Sequence, residues 1–287
     1  MVKGITIPFF IFILITSCSE LDLANLLLPL GTSVNSRVAE SLEWNRRHGV
    51  DTIVISTDIY CFYASSDIHA ETSPRRFAKM VQREKTDSSA YFHLMLGDAI
   101  ARKEAQQYVA EIVLPDSSEY KPCYTIVGNH DLFFGNWEDW INYFHTSTYY
   151  FLIRTPNYQD LYIMLDSANG TLGEKQTAWL KQTIEDMRSR CRHCIVCLHT
   201  NILKTDHNQF ISGNFPLEET YFLLNLFAEK HVEIVLQGHD HHRDEQHFNG
   251  VTYITLDDLK DNTPNASYLI VNVGYDINYS FIPMGNE

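Results

Sequence analysis

Five short motifs carry the side chains that divalent transition metals favour: Asp67-Ile68-His69, Gly97-Asp98, Gly128-Asn129-His130-Asp131, His199 and Gly238-His239-Asp240-His241. Carboxylate, imidazole and amide oxygen suit manganese, iron and zinc, and no thiolate is among them. Residues 237–247 hold four histidines in eleven positions. Alone, that stretch fits metal ligands, a catalytic base or a solvated polar loop. The sequence before each motif decides. Every motif follows an apolar run (60–66, 91–96, 123–127, 194–198 and 234–237) rich in β-branched and aromatic residues, the composition of a strand. In α/β sheets the carboxyl ends of strands form the ligand crevice, so five such loops can converge on one rim. Asp58 is a decoy: it also follows a strand, but Tyr60 stands where a ligand histidine belongs, so it is assigned to a turn.

Helices must alternate with these strands to cover the sheet. The periodicity predicts helices from Ser33, as cap, to Arg47, and over 74–85, 100–112, 137–144, 174–188 and 217–231. Further strands are expected over 52–57, 149–154 and 161–166, and beyond residue 245 the chain reads as all strand. Residues 201–215 read as a loop. The alternation makes this an α/β protein without internal repeats.

Taken in order, the five motifs resemble those of the calcineurin-like metallophosphoesterase superfamily: D-x-H, G-D, G-N-H-D/E, H and G-H-x-H. The resemblance spans about residues 52 to 256. It implies a β-sandwich of two mixed sheets flanked by helices, in α-β-β-α layers. It further implies two metal ions, Mn, Fe or Zn, with Asp67, His69 and His241 on the first, Asn129, His199 and His239 on the second, and Asp98 bridging. Two such cations about 4 Å apart repel, which a shared carboxylate and a shared hydroxide offset, and that hydroxide can attack phosphorus. His130 is expected to contact the phosphate and protonate the leaving oxygen, with Asp131 on its other ring nitrogen. The implied activity is metal-dependent hydrolysis of a small phosphoester, a phosphodiester before a phosphomonoester. The competing reading is a non-catalytic envelope lipoprotein that uses the fold for binding. A retired enzyme usually loses a ligand, whereas all seven ligands, His130 and Asp131 are present. Two departures stand out: Thr200-Asn201 follows His199 where relatives often carry His-Pro, and the stretch between His130 and His199 holds no obvious Arg or Lys for a second phosphate, although Arg154 is available.

The 287 residues carry a formal charge of −14, with 45% hydrophobic and 20% charged residues, as in a globular protein. An acidic chain without a basic stripe is a poor partner for a nucleic-acid polymer. Lys3 and the apolar run 5–15 are too short to span a bilayer, which takes about 20 residues, and read as a secretory signal over 1–17. Ile15-Thr16-Ser17-Cys18 resembles a lipobox, which would tie the chain to the cell envelope through a lipidated Cys18. A plain signal peptide is the alternative, and Ser19 favours the outer membrane. Residues 18–48 then read as tether and helices, and 49–287 as the catalytic domain. Cys191, Cys194 and Cys197 are spaced three apart in or beside a strand, which sends them to alternate faces and makes a poor metal set. They read as structural thiols, or as a Cys191–Cys194 disulfide.

Overall fold

Alternation along single strands dictates the layers. In strand β2 (Tyr60–Ser65), Tyr60, Phe62 and Ala64 face one apolar cluster while Cys61 and Tyr63 face another. A strand buried on both sides needs a sheet on one face and helices on the other. The computed structural model, which describes residues 32–114, 121–206 and 209–285, has that arrangement. The expected signal segment and Cys18 lie outside the described residues, as do residues 207–208 of the expected loop.

The remaining elements are α1 (Val34–His48), β1 (Asp51–Val54), α2 (Arg75–Thr86), β3 (Ala90–Met95), α3 (Gln106–Val113), β4 (Cys123–Thr125), α4 (Trp137–Phe144), β5 (Tyr149–Arg154), β6 (Gln159–Leu165) and α5 (Gly173–Met187). They continue with β7 (Cys194–Leu198), β8 (Leu203–Asp206), β9 (Gln209–Ile211), α6 (Leu217–Glu229), β10 (Ile234–Gln237), β11 (Asp244–Phe248), β12 (Val251–Thr255), β13 (Ser267–Val273) and β14 (Ile277–Pro283). One sheet has the order β1-β5-β6-β7-β10-β12-β11 and the other β14-β13-β2-β3-β4. Both are mixed: β6, β7, β10 and β12 run parallel in the first, and β2, β3 and β4 in the second.

The sheets pack face to face through aromatic rings. Tyr124 stacks on Phe151 at 3.6 Å, and Phe92 meets Tyr162 edge-on at 5.3 Å. Phe77, Met80, Val109 and Trp140 seal the outer face of the five-stranded sheet, and Leu180, Ile184, Leu223 and Phe227 that of the seven-stranded one. Burying each such side chain contributes about 1.5–3 kcal/mol. The layers are therefore α-β-β-α. The loop expected over 201–215 contains the β8–β9 pair, whose strands of four and three residues are too short to announce themselves by alternation.

Helix α1 begins where the Ser33 hydroxyl caps the Ser36 N–H at 3.2 Å. It packs against the sandwich through a buried guanidinium. Arg37 donates to both carboxylate oxygens of Asp166, at 2.8 and 2.9 Å, and to Asn169 Oδ1 at 2.8 Å. Asp166 begins the loop after β6. Its neighbour Ser167 accepts from the His199 and Thr200 N–H groups at 2.9 Å each. The five cysteines among the described residues carry free thiols, so no Cys191–Cys194 disulfide forms.

Removing one partner of a buried ion pair leaves an uncompensated charge, at a cost of about 3–5 kcal/mol. Arg37→Ala should lower unfolding stability by that amount in urea titration; a loss below about 1 kcal/mol would show that α1 is held by apolar packing alone.

Candidate metal centre

The parallel strands deliver the motif residues to one rim. Asp67 and His69 follow β2, Asp98 follows β3, Asn129 follows β4, His199 follows β7, and His239 and His241 follow β10. The turns that aim them are strained. Asp67, His69, Asp98, His239 and His241 have φ of 52°, 46°, 50°, 74° and 59°. L-residues rarely adopt this left-handed region, which costs of the order of 1–3 kcal/mol per residue and persists only where surroundings enforce it. The motif glycines supply that enforcement by letting the loops interleave. A Cβ on Gly128 would come within 2.2 Å of Asp98 Oδ1, and one on Gly238 within 1.9 Å of Ser66 Oγ. At Gly97, with φ +86°, it would meet the Gly128 nitrogen at 2.7 Å and His199 Nδ1 at 2.8 Å.

Two groups of donor atoms result. In the first, Asp67 Oδ1 lies 3.4 Å from His241 Nε2 and 3.8 Å from His69 Nε2, and the two imidazole nitrogens are 3.0 Å apart. In the second, Asn129 Oδ1 lies 3.0 Å from both His199 Nε2 and His239 Nδ1. Asp98 Oδ2 belongs to both, 3.6 Å from His69 Nε2 and 3.4 Å from His199 Nε2. Ligands about 2.0–2.2 Å from one metal stand at such mutual spacings.

The carboxylates supply the test of fit. Asp67 Oδ2 accepts from the His239 N–H at 2.9 Å, and Asp98 Oδ1 from the His130 N–H at 2.8 Å. The other oxygen of each, Asp67 Oδ1 and Asp98 Oδ2, is buried without a hydrogen-bond partner among the described residues. Each carboxylate thus anchors one oxygen and presents the other to the gap, which suits a cation. His199 is oriented likewise: Nδ1–H donates to the Leu96 carbonyl at 2.8 Å, leaving Nε2 as the donor atom.

Burial pushes the His69 imidazole down to about 4, against the pull of Asp98 and Asp67, so its lone pair is free at neutral pH. Burial and the neighbouring His199 lower His239 too. For His199 burial acts the same way, but the Asp98 carboxylate outweighs it and lifts the group to about 10. The Asp67 carboxylate raises His241.

Asp131 departs from expectation. It is fully buried, and its oxygens accept from the Gly128 N–H at 2.8 Å and the Ile100 N–H at 3.2 Å. No bond to His130 is made; the turn at His130–Gly135 sends one side chain inward and the other outward. Asp131 therefore ties the Asn129 loop to the Asp98 loop. Burial, then Asp98, push its carboxyl up to about 8. Arg154 is no candidate for substrate, because it pairs with Gln159 at the start of β6, the end away from the metal rim. Asn201, in the place of the usual proline, is buried and clamps the Asp240 carboxylate at 3.1 Å, so Asp240 is a brace. Asp58 accepts from Asn157 in the turn outside the site, as the decoy reading requires. Sequence reasoning missed Ser167, which carries no motif and acts only through the folded loop.

Because His199 is lifted to about 10, a cation must displace its proton, and affinity falls as pH falls. Calorimetry of zinc binding at pH 7, in buffers of different ionisation heat, should report release of about one proton or more. Zinc uptake without proton release would show that His199 is already neutral before the cation binds.

Sequence comparison with curated proteins finds no match. Structural comparison finds a dimetal phosphatase from Danio rerio, 13% identical, covering 78% of this chain and 96% of that one with a TM-score of 0.61. GAP50, described as the anchor in the inner membrane complex of Plasmodium, is 13% identical over 79% of this chain and 85% of its own, with a TM-score of 0.59. A putative 5'-nucleotidase from Staphylococcus aureus is 14% identical over 80% of this chain but only 55% of its own, at 0.57. At such identities the likeness is one of fold. The family model for calcineurin-like phosphoesterases matches residues 62–243, from β2 to just past His241. The chain belongs to the calcineurin-like phosphoesterase family.

Proposed function

We propose that the chain hydrolyses a small phosphoester, a phosphodiester in preference to a phosphomonoester, with two divalent or trivalent cations (Mn, Fe or Zn) held by Asp67, His69, Asp98, Asn129, His199, His239 and His241. One observation carries this reading: the buried, unpartnered Oδ2 of Asp98 lies between the two donor groups. When bound, such a pair of cations supplies Lewis acidity to a phosphoryl oxygen and lowers the pKa of water enough for attack near neutral pH.

The chain's own contribution centres on His130. Its ring stands edge-on to His69 at 4.5 Å, its Nε2 lies 4.0 Å from Asp98 Oδ2, and its side chain is 34% exposed. His130 is thus an imidazole at the mouth of the cluster outside both donor groups, placed to hand a proton from Nε2 to the leaving oxygen. Its backbone N–H holds Asp98 Oδ1, so proton donor and bridging carboxylate share one anchor. Asp131 holds the loop that carries both Asn129 and His130, a positioning role.

The fold also serves as an anchor in GAP50, so turnover is the discriminating property. Mono- and diesters assayed with manganese, iron and zinc should show metal-dependent hydrolysis, fastest on a diester. A protein that binds two metals and turns over none of them would favour the binding reading. His130→Ala should lower the rate by roughly 10²–10⁴ with metal content unchanged, and wild-type rates in that variant would remove the residue from the mechanism. The proposal extends to location at the cell envelope through a lipid on Cys18, supported by Ile15-Thr16-Ser17-Cys18 after the apolar run 5–15. Membrane recovery of the wild type but not of Cys18→Ala is expected, and equal recovery would refute it.

A further inference from the structure

A cavity of about 310 Å³ opens beside the metal centre, between the loop carrying His69 and the loop at 260–263. His69, Glu71, Thr72, Lys260, Asp261 and Thr263 are among its walls. The acidic groups there are already engaged. Glu71 pairs with Arg102 at 3.5 Å, and Asp261 accepts from the Arg75 and Arg76 N–H groups at 3.0 and 2.9 Å. Asp258, next along the loop, accepts from the Thr263 hydroxyl at 2.8 Å. The Lys260 ammonium, in contrast, makes no hydrogen bond or ion pair among the described residues and acts on Asp258 only through space.

Its backbone is fixed. The buried Arg76 guanidinium donates to the Lys260 carbonyl at 2.5 Å and to the Thr263 carbonyl at 2.8 Å, pinning the loop to α2. The chain bears a charge of −14 and repels anions at long range, so an unpaired cation beside the centre selects locally. The cavity adjoins the centre through His69, which forms part of its wall, and His130, the proposed proton donor, stands edge-on to that same ring.

We propose that Lys260 is a specificity-determining residue that receives a second anionic group, a carboxylate or phosphate, on the leaving-group side of the substrate. This rests on the phosphoesterase reading of the centre, and it narrows the substrate class to phosphoesters whose leaving group is itself an anion.

The test is equilibrium binding, by calorimetry on the metal-loaded full chain, of phenylphosphonate and its 3- and 4-carboxy derivatives. In these a P–C bond replaces the scissile P–O bond. At least one carboxylate derivative should bind about tenfold more tightly than the parent, the scale of one charge-assisted hydrogen bond. Lys260→Ala should bring that ratio to about one, and Lys260→Arg should keep most of it. Equal affinities in the wild type, no binding of any of the three, or a ratio unchanged in Lys260→Ala would overturn the assignment. If the ratio behaves as expected but neither the corresponding aryl phosphates nor their methyl diesters are hydrolysed, the hydrolase reading fails while the anion contact stands.

Discussion

Asp67 and Asp98 are buried almost completely, side by side, and neither has a lysine or arginine partner among the described residues. Taking a carboxylate out of water costs several kcal/mol unless an opposite charge and good hydrogen bonds compensate. Here backbone N–H groups satisfy one oxygen of each, and the other faces imidazoles at 3.4 Å or more. Of these, His199 and His241 are drawn toward the charged form by those carboxylates until a metal takes the proton's place. A pair of cations is the natural compensation, and the rest of the rim is arranged around that need. The buried charge is the constraint; the fold is the means of imposing it.

Imposing it requires local structure that the chain would not choose alone. Five candidate ligands sit at positive φ, and three glycines let loop backbones pass where a methyl group would collide with a neighbouring loop. Such strain is sustained by the sandwich, whose aromatic core keeps the parallel strands in register and their carboxyl ends level. The braces extend outward from there. Asp131 ties two ligand loops together, Ser167 holds the His199 loop, and Arg37 fixes Asp166 beside it. A residue on α1 is thus three contacts from a candidate ligand.

This arrangement explains what was legible in the sequence. Strands such as 60–65 and 149–154 declare themselves by alternation, and each motif follows its strand directly, so both signals are local. The family pattern then ordered the ligands. Asp131 is expected on His130 because carboxylates commonly pair with active-site histidines, whereas its partners are amides brought together by tertiary packing. Ser167, Arg37 and Lys260 carry no motif. Their roles depend on which loop the fold lays beside the centre, and neither spacing nor composition encodes that. The β8–β9 pair was unreadable for a simpler reason, since its strands are too short to establish a period.

The central claim is that two metal positions share Asp98. Anomalous diffraction from crystals of the manganese-loaded protein tests it most directly. The account predicts two peaks, one among Asp67, His69 and His241 and one among Asn129, His199 and His239, each within bonding distance of Asp98. A single peak, or metals bound away from these residues, would contradict it.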